Sequence, residues 1–166
     1  MEVLEPVHDV ILGLDLGTNT GFALMCNGKI LQSGTVKLWR APQPVEQRWV
    51  TFWNTVASLL ARSIELTGVD PVVAYESVHS HRGTRAAHVY GGLRAVLECV
   101  CNDVETLAIP VATWKKLSVG KGNANKDAYI RWASSHFGIR FDSRNEDECA
   151  ALGVAVAARK MLGLIE

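Results

Sequence analysis

The stretch from Val10 to Lys37, VILGLDLGTNTGFALMCNGKILQSGTVK, limits the possible folds of this chain more than any other. Residues 10–16 are an apolar run that reads as a strand, with Gly17 to Thr20 as its turn, and residues 21–26 make a second strand. Asn27-Gly28 is the dipeptide a two-residue hairpin favours, because both central positions of such a turn need positive φ. Residues 29–37 return as a third strand, so the chain opens as an antiparallel meander. One carboxylate, Asp15, interrupts the first apolar run. Strand alternation puts it on one face with Gly13 and Gly17, where small neighbours leave room for a ligand. Burying a lone carboxylate costs several kcal/mol, so something must offset it. The candidates are a metal ion, a phosphate, or a structural hydrogen bond to the turn amides of Gly17 and Thr18.

The rest of the chain alternates. After a loop at 39–44, apolar residues recur at helical spacing from Val45 to Leu66: Trp49, Phe52, Trp53, Val56, Leu59, Leu60 and Ile64. Gly68 closes that helix, and Pro71 opens a short buried strand, VVAYE, that ends in Glu76. A polar, basic stretch, SVHSHRGTR, leads to a helix over about 86–101 and a strand over Thr106 to Pro110. VATWKKLSVGKGNANKDAY follows, then a helix over 126–137 that Gly138 stops, the polar loop RFDSRNED, and a last helix over about 146–162. This order predicts an α/β fold with a mixed five-stranded sheet, three strands antiparallel then two parallel, flanked by helices. Residues 1–166 read as a single domain with a loose tail at 1–9. Trp49, Trp53 and Trp132 fall at apolar helical positions and read as core. Gly91 and Gly92, inside Val89 to Val100, permit close helix approach, either to a second copy or to the chain's own sheet.

Composition narrows the partners. With 17 basic and 17 acidic residues the formal net charge is zero, so nucleic-acid binding would have to come from local patches. Cys26, Cys99, Cys101 and Cys149 lack zinc-ribbon and secreted-framework spacing and read as free thiols. The start, MEVLEPVHD, lacks a signal-peptide pattern, and no apolar run reaches bilayer-spanning length. A cytoplasmic protein without membrane contact is the expectation.

Three carboxylates stand out: Asp15 in its strand, Glu76 at a strand's carboxyl end, where α/β sheets gather ligands, and Asp147 at the head of an apolar helix. Brought together they repel unless cations neutralise them, and hard divalent ions, Mg²⁺ or Mn²⁺, suit such oxygens. Each also has a plain reading: Asp147 complements a helix dipole, Glu76 faces water, and Asp15 bonds its own turn. Two basic stretches accompany them. His79, His81, Arg82 and Arg85 follow Glu76, and Lys115, Lys116, Lys121 and Lys126 surround Gly120 and Gly122. Glycines admit backbone amides to phosphates and lysines neutralise them, a pattern that favours recognition of shape over sequence.

From Val10 to Arg159 the chain resembles the RuvC-type Holliday junction resolvases, in their small phage-encoded branch, within the ribonuclease H-like superfamily. GLDLGTNTGFAL resembles the family's first-strand motif, YESVHSHRGTRAAHVYGGLRAVL its second carboxylate and following helix, PVATWKKLSVGKGNANKDAY its basic turn and G-x-G loop, and NEDECAALGVAVAA its closing helix. The resemblance implies an endonuclease that nicks paired strands of four-way DNA junctions as a homodimer, leaving 5′-phosphates. It implies Asp15, Glu76 and Asp147 as ligands of two Mg²⁺ ions, with Lys126 near the scissile phosphate and His79 where an aromatic enters the junction centre. The family's last helix carries a second carboxylate three residues on, and here that position is Ala150. Glu146 and Glu148 flank Asp147 but point about 100° away from it on an ideal helix. Three carboxylates suffice, or a flanking glutamate compensates, or Ala150 is an inactivating change. The competing readings are a junction-binding protein that does not cut, a ribonuclease H-like nuclease acting on RNA, and half of an actin-like or sugar-kinase fold, which DLGTNTG also resembles.

Overall fold

The computed structural model describes residues 9–166. β1 (Val10–Asp15), β2 (Asn19–Cys26) and β3 (Lys29–Lys37) form the meander, with Asn27 and Gly28 both at positive φ in its hairpin. α1 (Gln47–Thr67), β4 (Val72–Ser77), α2 (Thr84–Val100), β5 (Thr106–Pro110), α3 (Val111–Ser118), α4 (Lys126–Phe137), a 3₁₀ turn at Ser143–Asn145 and α5 (Glu146–Met161) follow. The sheet order is β3-β2-β1-β4-β5. β1 to β3 pair antiparallel, while β4 pairs parallel with both β1 and β5. This is the ribonuclease H-like mixed sheet the element order predicts, flanked by helices on both faces.

Period-two alternation sorts the two cores. Leu12, Leu14, Leu24, Val73 and Tyr75 point to one face, under Phe52, Val56 and Leu59 of α1 and Leu93 and Leu97 of α2. Ile11, Ala23, Met25, Ala74 and Ile109 point to the other, under α5 and the helices beside it. α5 lies unusually close. A Cβ on Gly13 would overlap the carbonyl oxygen of Ala151, and one on Gly21 would overlap that of Asp147. From Cys149 to Ala158 every residue of α5 is buried, and most are small, which lets the helix backbone settle onto the strands. Gly13 therefore makes room for a helix rather than for a ligand.

Several expectations need correction. α3 is a full helix where the sequence reading placed only a basic turn. Trp53 is 44% exposed, so it does not belong to the core. Trp49 is half-buried and covers Gly92, whose Cβ would run into its ring, so that glycine serves packing of α2 on α1. Trp132 is half-buried and stacks on His136 at 5.2 Å between ring centroids. The expected tail at 1–9 lies outside the described residues except for Asp9, which is buried and bonded by the Arg159 guanidinium at 2.9 Å. Cys26, Cys99, Cys101 and Cys149 are unpaired.

Gly13→Ala tests the close approach of α5. The added methyl has nowhere to go, and overpacking of this kind costs about 1–3 kcal/mol. The melting temperature followed by far-UV circular dichroism is expected to fall by roughly 2–4 °C per kcal/mol.

Candidate functional site

The parallel register of β1 and β4 aligns Leu14 with Tyr75, so Asp15 and Glu76 follow side by side at the carboxyl edge of the sheet. Both share the face that carries Gly13 and Ala74, the face covered by α5. The contact of the Asp147 carbonyl with Gly21, the register partner of Asp15, brings the head of α5 to the same edge. Three carboxylates from elements far apart in the chain thus meet.

Their electrostatics record the meeting. Asp15 is held well above its ordinary value of 3.8, first by desolvation, then by the charges of Glu76, Asp147 and Glu146. Asp147 is raised by desolvation and by Glu146, against the opposing pull of Lys126 and a hydrogen bond shared with Asp15. Desolvation raises Glu76, while the Trp114 indole N–H, donated to Oε2 at 2.8 Å, and the charge of Lys115 lower it. The buried Tyr129 phenol is pushed up by desolvation and then by the charges of Glu146, Asp15, Glu76 and Asp147.

The two flanking glutamates differ. Glu148 accepts from Ser33 Oγ at 2.6 Å and from Asn145 Nδ2 at 3.2 Å, which ties it to β3 and the 3₁₀ turn. Glu146 pairs with Lys126 Nζ at 2.7 Å and bears on both Asp15 and Asp147. Ala150 is 3% exposed within the cluster that holds Trp114 and Tyr129. Lys126, at the first position of α4, thus pairs with the acidic group while most of its side chain stays exposed to solvent.

The basic stretches lie on either side. Lys115 is half-buried, with Nζ 5.7 Å from the Trp114 ring centroid and 5.5 Å from that of Tyr129, while Lys116 and Lys121 are exposed. On the other side, His81 helps to line a cavity of about 240 Å³ with Leu16, Gly17, Thr18, Val78 and Tyr90, directly after Asp15. His81 lies against Tyr90 at 4.9 Å, and the Tyr90 hydroxyl donates to the Glu76 carbonyl at 3.0 Å. His79, Arg82 and Arg85 are exposed. The sequence reading missed Trp114, Tyr129 and Tyr90. The first two had a signal, since an aromatic beside the Lys115-Lys116 pair and another three residues after Lys126 frame the basic loop.

The donor set is one of hard oxygens, which fits Mg²⁺ or Mn²⁺ in chemistry. As the side chains stand, no three His, Cys, Asp or Glu groups among the described residues converge closely enough to hold an ion. A bound cation would offset the repulsion that helps to raise Asp15.

No protein-family model matches the chain, and no curated protein matches it in sequence. Solved structures do match in fold. A structure titled T. thermophilus RuvC in complex with Holliday junction substrate matches with TM-score 0.79 at 19% identity, over 93% of this chain and 95% of that one. Another Thermus thermophilus RuvC structure gives TM-score 0.74 at 20% identity over 93% and 96%. The yeast mitochondrial Holliday junction resolvase Ydc2 gives 0.51 at 14% identity over 89% and 76%. The fold is that of the RuvC resolvases across nearly the whole chain.

Because the Asp15 carboxyl is raised, the folded chain binds its proton more tightly than the unfolded chain does. Stability without metal therefore falls as pH rises from 3.8 through the elevated value, and the charged cluster opposes folding at neutral pH. Asp15→Asn in EDTA at pH 7 is expected to raise the melting temperature, because the amide carries no charge to desolvate or repel. The gain should shrink toward pH 4 in a series of thermal melts.

Proposed function

We propose that this chain is a metal-dependent endodeoxyribonuclease that binds four-way DNA junctions and nicks them by phosphodiester hydrolysis. One observation carries the reading: Asp15, Glu76 and Asp147, brought from β1, β4 and α5, gather at one sheet edge, where the charges of Glu76 and Asp147 add to the desolvation that raises Asp15. Asp15, Glu76 and Asp147 would hold the ions, with Glu146 as the fourth carboxylate in place of the absent one at Ala150. Bound Mg²⁺ supplies an activated water and stabilises the leaving 3′ oxygen. Lys126, released from Glu146, and Lys115 neutralise the scissile phosphate. His79, His81, Arg82 and Arg85 on one side and Lys116 and Lys121 on the other contact the backbone of the branched DNA, in salt-sensitive fashion. The fold shared with a RuvC bound to a junction supports this substrate class.

A homodimer belongs to the same reading, because two strands must be cut in register. Val50 and Trp53, exposed on α1 beside Val96 of α2, supply an apolar patch for it. A cytoplasmic location accords with the unpaired thiols, and no helix among the described residues is long and apolar enough to cross a membrane. A junction binder that does not cut is the second reading, favoured specifically by Ala150.

A labelled synthetic four-way junction separates the two readings. With Mg²⁺ the wild type is expected to cut it, while Asp15→Asn, Glu76→Gln and Asp147→Asn bind it with about wild-type affinity and cut at least about 100-fold more slowly. Glu146→Gln should slow cutting, whereas Glu148→Gln should not. If only Ala150→Asp cuts, the chain as it stands is a binder. If no form prefers the junction to linear duplex, the substrate assignment fails.

A further inference from the structure

We propose that Trp114 is the positioning residue for Glu76, and that Gly153 of α5 exists to seat its indole; the proposal rests on Glu76 being a metal ligand. Trp114 is the largest fully buried side chain, at 1% exposure. A buried indole N–H needs an acceptor, and a backbone carbonyl is the usual inexpensive choice. Here the acceptor is Oε2 of Glu76, 2.8 Å away.

The ring has no freedom to re-aim that bond. Tyr129 meets it edge-on at 5.5 Å, and Lys115 Nζ lies 5.7 Å from its centroid. A Cβ on Gly153 would stand 2.5 Å from Cζ3 and 2.7 Å from Cε3, so the indole fills the space that this glycine leaves. A glutamate at a strand end has three rotatable bonds and would otherwise sample several rotamers. The indole engages Oε2 and so fixes the carboxylate plane, which would leave Oε1 for a metal ion. α5 therefore sets two of the three carboxylates: Asp147 directly, and Glu76 through Gly153 and Trp114. Partners that orient a ligand in this way typically carry 10–100-fold in metal affinity or activity.

The test is Trp114→Phe in the full chain, which keeps a ring and removes the N–H. Mn²⁺ binding without DNA, read by electron paramagnetic resonance, is expected to weaken about 10-fold or more. The Mg²⁺ concentration for half-maximal cleavage should rise by a similar factor, with junction affinity in Ca²⁺ unchanged. Glu76→Gln supplies the background control: there Trp114→Phe should weaken Mn²⁺ no further, because the indole acts only through that carboxylate. Gly153→Ala retains the N–H but crowds the ring, and should weaken Mn²⁺ in the same direction even where the phenylalanine variant folds poorly. Wild-type Mn²⁺ affinity in a folded Trp114→Phe, or an equal loss in the Glu76→Gln background, overturns the proposal and leaves the indole as core filling. A wild type that binds Mn²⁺ but cuts no junction overturns the proposed substrate alone, since the ratio of Mn²⁺ affinities still decides the role of Trp114.

Discussion

The contact on which the structure depends is backbone against backbone: α5 resting on β1 and β2 where Gly13 and Gly21 carry no side chain. Interiors pack at crystal-like density, so a helix can come this near a sheet only where small residues meet small residues. α5 provides them in the run from Cys149 to Ala158, all buried. That single contact forms one of the two cores and carries the Asp147 end of the helix to the sheet edge where Asp15 and Glu76 already stand.

The price of that arrangement is electrostatic. Desolvated carboxylates crowd together, and Asp15 bears most of the load. The surroundings relieve it only in part, through Lys126 on Glu146, Lys115 near Glu76 and the indole N–H of Trp114. A fold that keeps such a cluster has a use for it, because perturbed carboxylates in a cleft concentrate at functional sites.

The sheet was legible because its signals are local. Period-two alternation, the Asn27-Gly28 turn and a strand ending in Glu76 need no tertiary information. α3 escaped because eight residues, with Trp114 as the one buried anchor, make too short a window for helical periodicity to register. Trp53 was misplaced for the opposite reason: α1 runs 21 residues, and its apolar stripe is wider than the sheet and α2 can cover. Gly13 was read as space for a ligand because a sequence shows that a side chain is absent but not what fills the gap.

By itself the sequence determined the succession of strands and helices along the chain, the helices of ordinary length, and the three carboxylates that burial would make costly, since each depends on neighbours within a few residues. Only the tertiary structure decided which of those groups meet. It separated Glu146, which bears on Asp15, from Glu148, which is bonded to Ser33. It also placed the Trp114 indole on Glu76, across 38 residues of chain. Equal spacing along a helix gives such flanking residues equal standing, and the difference between them comes from the elements that a long-range contact sets against each side of that helix.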